Sequence, residues 1–208
     1  MLNTRITATA AVLVAASAAM ADINVTQGNS APTYATTLNF DEAGGPTGVI
    51  DPGAFSGIGI TELQAGDGTP FVGDNDTPQG GWGLGTGNSF FGAFGVFITF
   101  DSDLTEFSTQ VWDPSGPPTF TGGGLGFFFF NDGVEVGTAF DITPAWGGLG
   151  ESWFDVTTTN GSTFDEVRIL GFGFFPTTVV DNMSWNAVPA PSSALLLGFG
   201  LVGLRRRR

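Results

Sequence analysis

Twenty carboxylates, with no histidine, no cysteine and no lysine, are the chemical equipment of this 208-residue sequence. That inventory removes most catalytic chemistry. A Ser-His or Cys-His couple and a lysine base all need side chains that are absent. Zinc and redox metals prefer imidazole and thiolate ligands, so they are disfavoured as well. Two chemistries remain open to carboxylates. A pair facing each other across a cleft can hydrolyse a glycosidic bond, and a cluster with main-chain carbonyls can hold Ca²⁺ through hard oxygen ligands. No pair is singled out by spacing, so the chain is read as non-catalytic, with a surface glycosidase as the weakest alternative.

Aromatic side chains offer a third kind of chemistry, stacking on sugar rings. Trp82, Trp112, Trp146 and Trp153 are the candidates, and Trp82 and Trp146 sit in glycine-rich stretches that favour exposure. Binding of a polysaccharide, assisted by Ca²⁺, is therefore the main alternative to a purely structural role. One acidic stretch, "GDGTPFVGDNDTPQGG", also gathers Asp67, Asp74 and Asp76, but it lacks the glutamate that closes an EF-hand loop.

The elements that must position these residues read as short strands between Gly, Pro, Asp and Asn turns, the pattern of an all-β sandwich or barrel. Strands are expected at 33–40, 90–100, 104–113, 124–132, 134–140, 152–158, 163–172 and 177–185. The segment 104–113 alternates, with Leu104, Glu106, Ser108, Gln110 and Trp112 on one face and Thr105, Phe107, Thr109 and Val111 on the other. Asn131-Asp132-Gly133 and Asn160-Gly161 are hairpin signals, and 64–89 is expected to be a long loop. The expected fold is a single jelly-roll-like β-sandwich over residues 22–187. The sequence has 21 Phe and 33 Gly, nearly all of them in the body, which can therefore build a core without disulfides.

The two ends carry an address. Residues 1–21, "MLNTRITATAAVLVAASAAMA", have a basic start at Arg5, a short apolar run, and Ala19 and Ala21 in the small-x-small pattern read by signal peptidase. Residues 188–208 combine a proline-bounded spacer, an apolar run and Arg205, Arg206, Arg207 and Arg208. The seventeen uncharged residues from Val188 to Leu204 span about 25 Å as a helix. That is slightly short of the hydrocarbon core, so arginines reaching up to the headgroups would be needed to complete a crossing. The arginines would hold that end in the cytoplasm. One arginine, Arg168, against twenty acidic residues leaves the body at a net charge of −19. Nucleic acid is excluded as a partner by that charge.

This tail resembles the PEP-CTERM sorting signal of bacterial envelope proteins. Pro189 and Pro191 match its short motif, Ala190 stands where the family has Glu, and Ser192, the apolar run (transmembrane segment 192–204) and the arginines match again. The resemblance implies export, tethering at the inner membrane, and sorting to the envelope or exterior by an exosortase-type transpeptidase, in an exopolysaccharide setting. A plain uncut membrane anchor is the other reading of the tail. Two stretches of the body, "LNFDEAGGPTGVIDPGAFSGIGIT" and "FDEVRILGFGFFPTTVVDNMSW", also look like the opening and closing strands of jelly-roll carbohydrate-binding-like modules. In the calcium-containing members, acidic residues at the first and last strands share a structural Ca²⁺, which would fall here on Asp41 or Glu42 and on Asp181.

Overall fold

The computed structural model describes residues 23–74, 87–112, 124–142, 151–171 and 177–188. Ala19, Ala21, Trp82, Trp146, Pro189, Ala190, Pro191 and Arg205 to Arg208 lie outside the described residues. Among those described there are twelve strands, one 3-10 turn at Ser56–Ile58, and no α-helix.

The organising element is β7 (Val96–Trp112), seventeen residues long. Its first half pairs antiparallel with β4 (Ile60–Ala65) and β11 (Phe164–Gly171). Its second half pairs with β10 (Trp153–Thr158) and β12 (Thr177–Ala187). Between the halves the pairing jumps: Phe164 faces Leu104, whereas Glu166 faces Thr99. Two steps on β11 thus match five on β7, which leaves Asp101 to Asp103 as an irregularity that bends the strand. One strand in this way serves two layers.

On one side β11 continues to β8 (Leu125–Asn131) and β9 (Val134–Ile142). On the other, β10 continues to β1 (Ile23–Gly28), while β12 takes both β2 (Thr36–Leu38) and β6 (Asn88–Ala93). Beyond β6 lie β5 (Phe71–Asp74) and β3 (Gly48–Val49). The layers meet through phenylalanine: Phe127 of β8 and Phe154 of β10 lie 5.2 Å apart, ring centre to ring centre, and both are fully buried. Phe100, Phe107 and Trp185 extend the same core. The described chain is all-β and sandwich-like.

Several expected elements change on folding. The strand expected at 90–100 is two strands, because Phe94 (φ 60) and Gly95 (φ 107) take left-handed backbone and turn the chain. Leu104 belongs to the core with Phe107 and Val111 rather than to the face of Glu106 and Ser108. The cause is a bulge at Thr105: Asn186 faces Glu106 and the next residue, Ala187, faces Leu104. Asp132-Gly133 does close a hairpin between β8 and β9. Asn160-Gly161 makes the same left-handed pair (φ 58 and 74) but no hairpin, since β10 and β11 both attach to β7 and not to each other. The segment expected to be one long loop contains β5, and β1 lies ahead of the first expected strand.

Candidate functional site

Phe40 opens the site. It is a non-glycine residue in left-handed backbone (φ 63), a conformation that costs about 1–2 kcal/mol. Its ring is buried, 5.6 Å from Phe55 and 6.3 Å from Phe90, which holds the turn in place. The next residue, Asp41, is thereby aimed at the start of β6, where the Asn88 N–H donates to Asp41 Oδ1 at 2.7 Å. Gly87 (φ +88) permits this approach, because a Cβ there would collide with the Asp41 carboxylate. The Asp41 N–H in turn donates to Asn39 Oδ1 at 3.1 Å.

Asp181 comes to the same region from β12. It faces Gln110, yet Ser184 faces Ser108, so three steps along β12 match two along β7. This bulge coincides with left-handed backbone at Asn182 (φ 48), and bulges commonly re-aim a side chain. The Asp181 residue is only 1% exposed. Its Oδ1 accepts the Asn182 N–H at 2.7 Å, and its Oδ2 accepts Asn182 Nδ2 at 3.1 Å. Asn182 Nδ2 also donates to Gln110 Oε1 at 2.6 Å, which fastens the bulge to β7.

Burial is the main force on the Asp181 carboxyl and raises its pKa; the Asn182 N–H works in the other direction, and the negative charges of Asp41 and Glu42 raise it further, to about 7. The fold therefore brings the field of Asp41 and Glu42 to bear on Asp181. No base compensates among the described residues: the only one, Arg168, is bonded to Glu166 and lies over the Phe97 and Phe130 rings. Donors of this kind, hard oxygens with surplus negative charge, suit Ca²⁺ and not zinc. Among the described residues no three acidic side chains already stand around one point at ligand distance. Of the other acidic candidates, Asp67 Oδ1 accepts the Thr69 N–H at 2.9 Å, which is turn chemistry; Asp76 lies outside the described residues.

A cleft of about 180 Å³ opens next to this bulge, between the β2–β12 pair and Trp153 of β10. One wall is the segment leading into β2, which is strapped across the sheet. The Tyr34 N–H donates to Ser184 Oγ at 3.0 Å, the Ala35 N–H to Asn186 Oδ1 at 2.9 Å, and Ser108 Oγ to the Pro32 carbonyl at 2.8 Å. The Tyr34 hydroxyl donates to Asp155 Oδ1 at 2.6 Å; burial and then the Asp155 carboxylate raise its pKa above the ordinary tyrosine range. Of the tryptophans proposed for stacking, Trp112 is core, packed with Val179, whereas Trp153 is half-buried in the cleft wall. Asn39 and Asn182 were not legible as lining residues, because only the turn after β2 and the β12 bulge bring them there.

No family model matches this chain, and no curated protein matches it. Among solved structures, the chain is similar to the CBM51-2 and INT domains of Clostridium perfringens ZmpB, with 13% identity and a TM-score of 0.32 over 86% of this chain and 35% of that one. It is also similar to the M60 catalytic domain with the CBM51-1 and CBM51-2 domains of the same protein, with 13% identity and a TM-score of 0.29 over 79% of this chain. The match covers 15% of that second chain, so both neighbours are much longer than the part aligned.

Proposed function

We propose that this chain is a non-catalytic protein of the cell envelope or extracellular matrix, exported by its leader and tethered and sorted through residues 188–208. Its jelly-roll-like body is braced by one calcium ion held by Asp181 together with Asp41 or Glu42. The observation that carries the calcium reading is the buried Asp181 carboxyl, pushed up to about 7 with two further acids acting on it and no base among the described residues to relieve them. A divalent cation would relieve that charge, taking its remaining oxygens from main-chain carbonyls and water. Its structural effect would be to join the turn after β2 to the bulge on β12.

Calorimetric titration of the full chain with Ca²⁺ tests this reading. Saturable binding that disappears in Asp181→Asn supports it, and no heat in the wild type overturns it. The address has its own test: deletion of residues 188–208 is expected to move the protein from the membrane fraction to the medium. Unchanged fractionation would remove the tether.

Polysaccharide binding is a second reading, favoured by the half-polar cleft with Trp153 in its wall. Co-sedimentation with the producing cell's extracted polysaccharide, with Ca²⁺ and with chelator, tests it. A glycosidase draws no support from this cleft, whose lining includes no Asp or Glu.

A further inference from the structure

We infer that the cleft between Trp153, Asn39 and Asn182 is a subsite for a single neutral sugar ring of a polysaccharide. The inference rests on the polysaccharide-binding reading and gives it a place and a substrate class; it does not depend on the calcium ion.

Size comes first. At about 180 Å³ the cleft is below the range of roughly 300–1,000 Å³ that encloses a drug-sized ligand. One six-membered ring is the scale of occupant it takes, with the rest of a chain running out over the surface.

The lining then sets the chemistry. The lining combines an indole with amides and hydroxyls, which suits a ligand with one hydroxyl-rich edge and one C–H face. Trp153, half-buried in the wall, supplies the apolar face. An indole face is electron-rich and attracts the slightly positive C–H groups of a sugar ring. Five polar residues share the lining: Asn39, Asn182, Thr33, Thr37 and Ser184, whose Oγ already accepts the Tyr34 N–H.

Their hydrogen bonds leave complementary valences. Asn39 uses its Oδ1 on the Asp41 N–H, so its Nδ2 remains a donor. Asn182 spends its Nδ2 on Gln110 and Asp181, so its Oδ1 remains an acceptor. An amide donor and an amide acceptor facing one cleft match a hydroxyl group, which donates and accepts. The bonds already made also fix both amides in place before a ligand arrives. Preorganisation of that kind reduces the ordering cost of binding.

Charge narrows the class. The cleft lining contains no arginine, the sequence has no lysine or histidine, and Asp181 stands one residue from Asn182. An acidic sugar would meet negative field and find no base to pair with. A neutral hexose meets neither penalty.

The test is a ¹⁵N-edited NMR titration of the full chain with glucose, galactose and mannose, and with glucuronic acid as the charged control. Co-sedimentation with extracted polysaccharide is run beside it. The expected result is a shift of the Trp153 indole N–H and of the Asn39 and Asn182 amides with at least one neutral hexose, and none with glucuronic acid. Trp153→Ala is expected to weaken polysaccharide retention about tenfold, the effect of losing one stacking contact. Because Trp153 also pairs within the sheet, Thr37→Ala, an exposed change, serves as the second variant and is expected to reduce retention with the melting curve unchanged. Retention of polysaccharide by both variants at the wild-type level, or shifts confined to other residues, overturns the subsite while leaving polysaccharide binding intact. Absence of retention by the wild type overturns the reading itself, and the subsite with it.

Discussion

Asn182 donates its side-chain amide to Gln110 Oε1 at 2.6 Å while its own backbone is left-handed at φ 48. This contact, with the Thr109 hydroxyl donating to the Asp181 carbonyl at 3.1 Å, secures the β12 bulge against β7, and both Asp181 and the cleft depend on that bulge. Asn tolerates left-handed backbone, whereas a β-branched residue does not. Asn182→Val is therefore expected to destabilise the fold by about 2 kcal/mol or more, from backbone strain together with lost hydrogen bonds. Asn182→Gly keeps the backbone and is expected to cost less. Denaturant unfolding of the two variants gives the comparison; equal losses would refute the role of the left-handed conformation.

Gly87 tests the other side of the site. A side chain at this position would both strain φ +88 and strike the Asp41 carboxylate. Gly87→Ala is expected to lower stability by about 1–3 kcal/mol and to weaken Ca²⁺ binding as well. Calorimetric titration of a variant that still melts cooperatively separates the two effects. Unaltered Ca²⁺ affinity there would place Asp41 outside the ion's shell.

The pH dependence follows from Asp181 in the presence of chelator. Its pKa is raised in the fold, from 3.8 to about 7, so between those values the folded state holds a proton that the unfolded state has released. Stability therefore falls as pH rises from about 4 to about 7, by at most about 1.4 kcal/mol per pH unit from this group, and levels off above. Urea unfolding across that range measures the slope. Asp181→Asn removes this contribution, and a variant slope equal to the wild-type slope would assign the effect elsewhere.

Packing predicts a contrast between two phenylalanines. Phe154 is fully buried against Phe127, so Phe154→Ala is expected to cost about 3–5 kcal/mol. Phe140 is 53% exposed and touches Phe128 edge-on, so Phe140→Ala is expected to stay within about 1 kcal/mol. Thermal melts of both variants decide whether the core lies where β8 meets β10.

Local chemistry made part of this legible in the sequence. The Asp132-Gly133 hairpin, the run of β8 and the last strand rest on turn residues and apolar patterning, and these appear where expected. Asp41 or Glu42 was linked with Asp181 by resemblance of two distant stretches; in the fold the charges of Asp41 and Glu42 reach Asp181, and a shared ion is the proposal tested below. What escaped was set by long-range pairing. Asn160-Gly161 carries a hairpin's turn chemistry, but the strands after and before it dock on different halves of β7. The bulges at Thr105 and Asn182 each move side chains to a new face, and no period-two reading can foresee an inserted residue. Asn182 entered the cleft through such a shift and Asn39 through the left-handed turn at Phe40, and polar residues of their kind ordinarily read as turn formers.

The central claim, a sandwich braced by calcium at Asp181, is tested most directly by differential scanning calorimetry of the full chain in Ca²⁺ and in chelator, beside Asp181→Asn. The wild-type midpoint is expected to rise with Ca²⁺ concentration, as binding to the folded state alone requires, and the Asp181→Asn midpoint to be indifferent to it. Identical wild-type midpoints in Ca²⁺ and in chelator would contradict the claim.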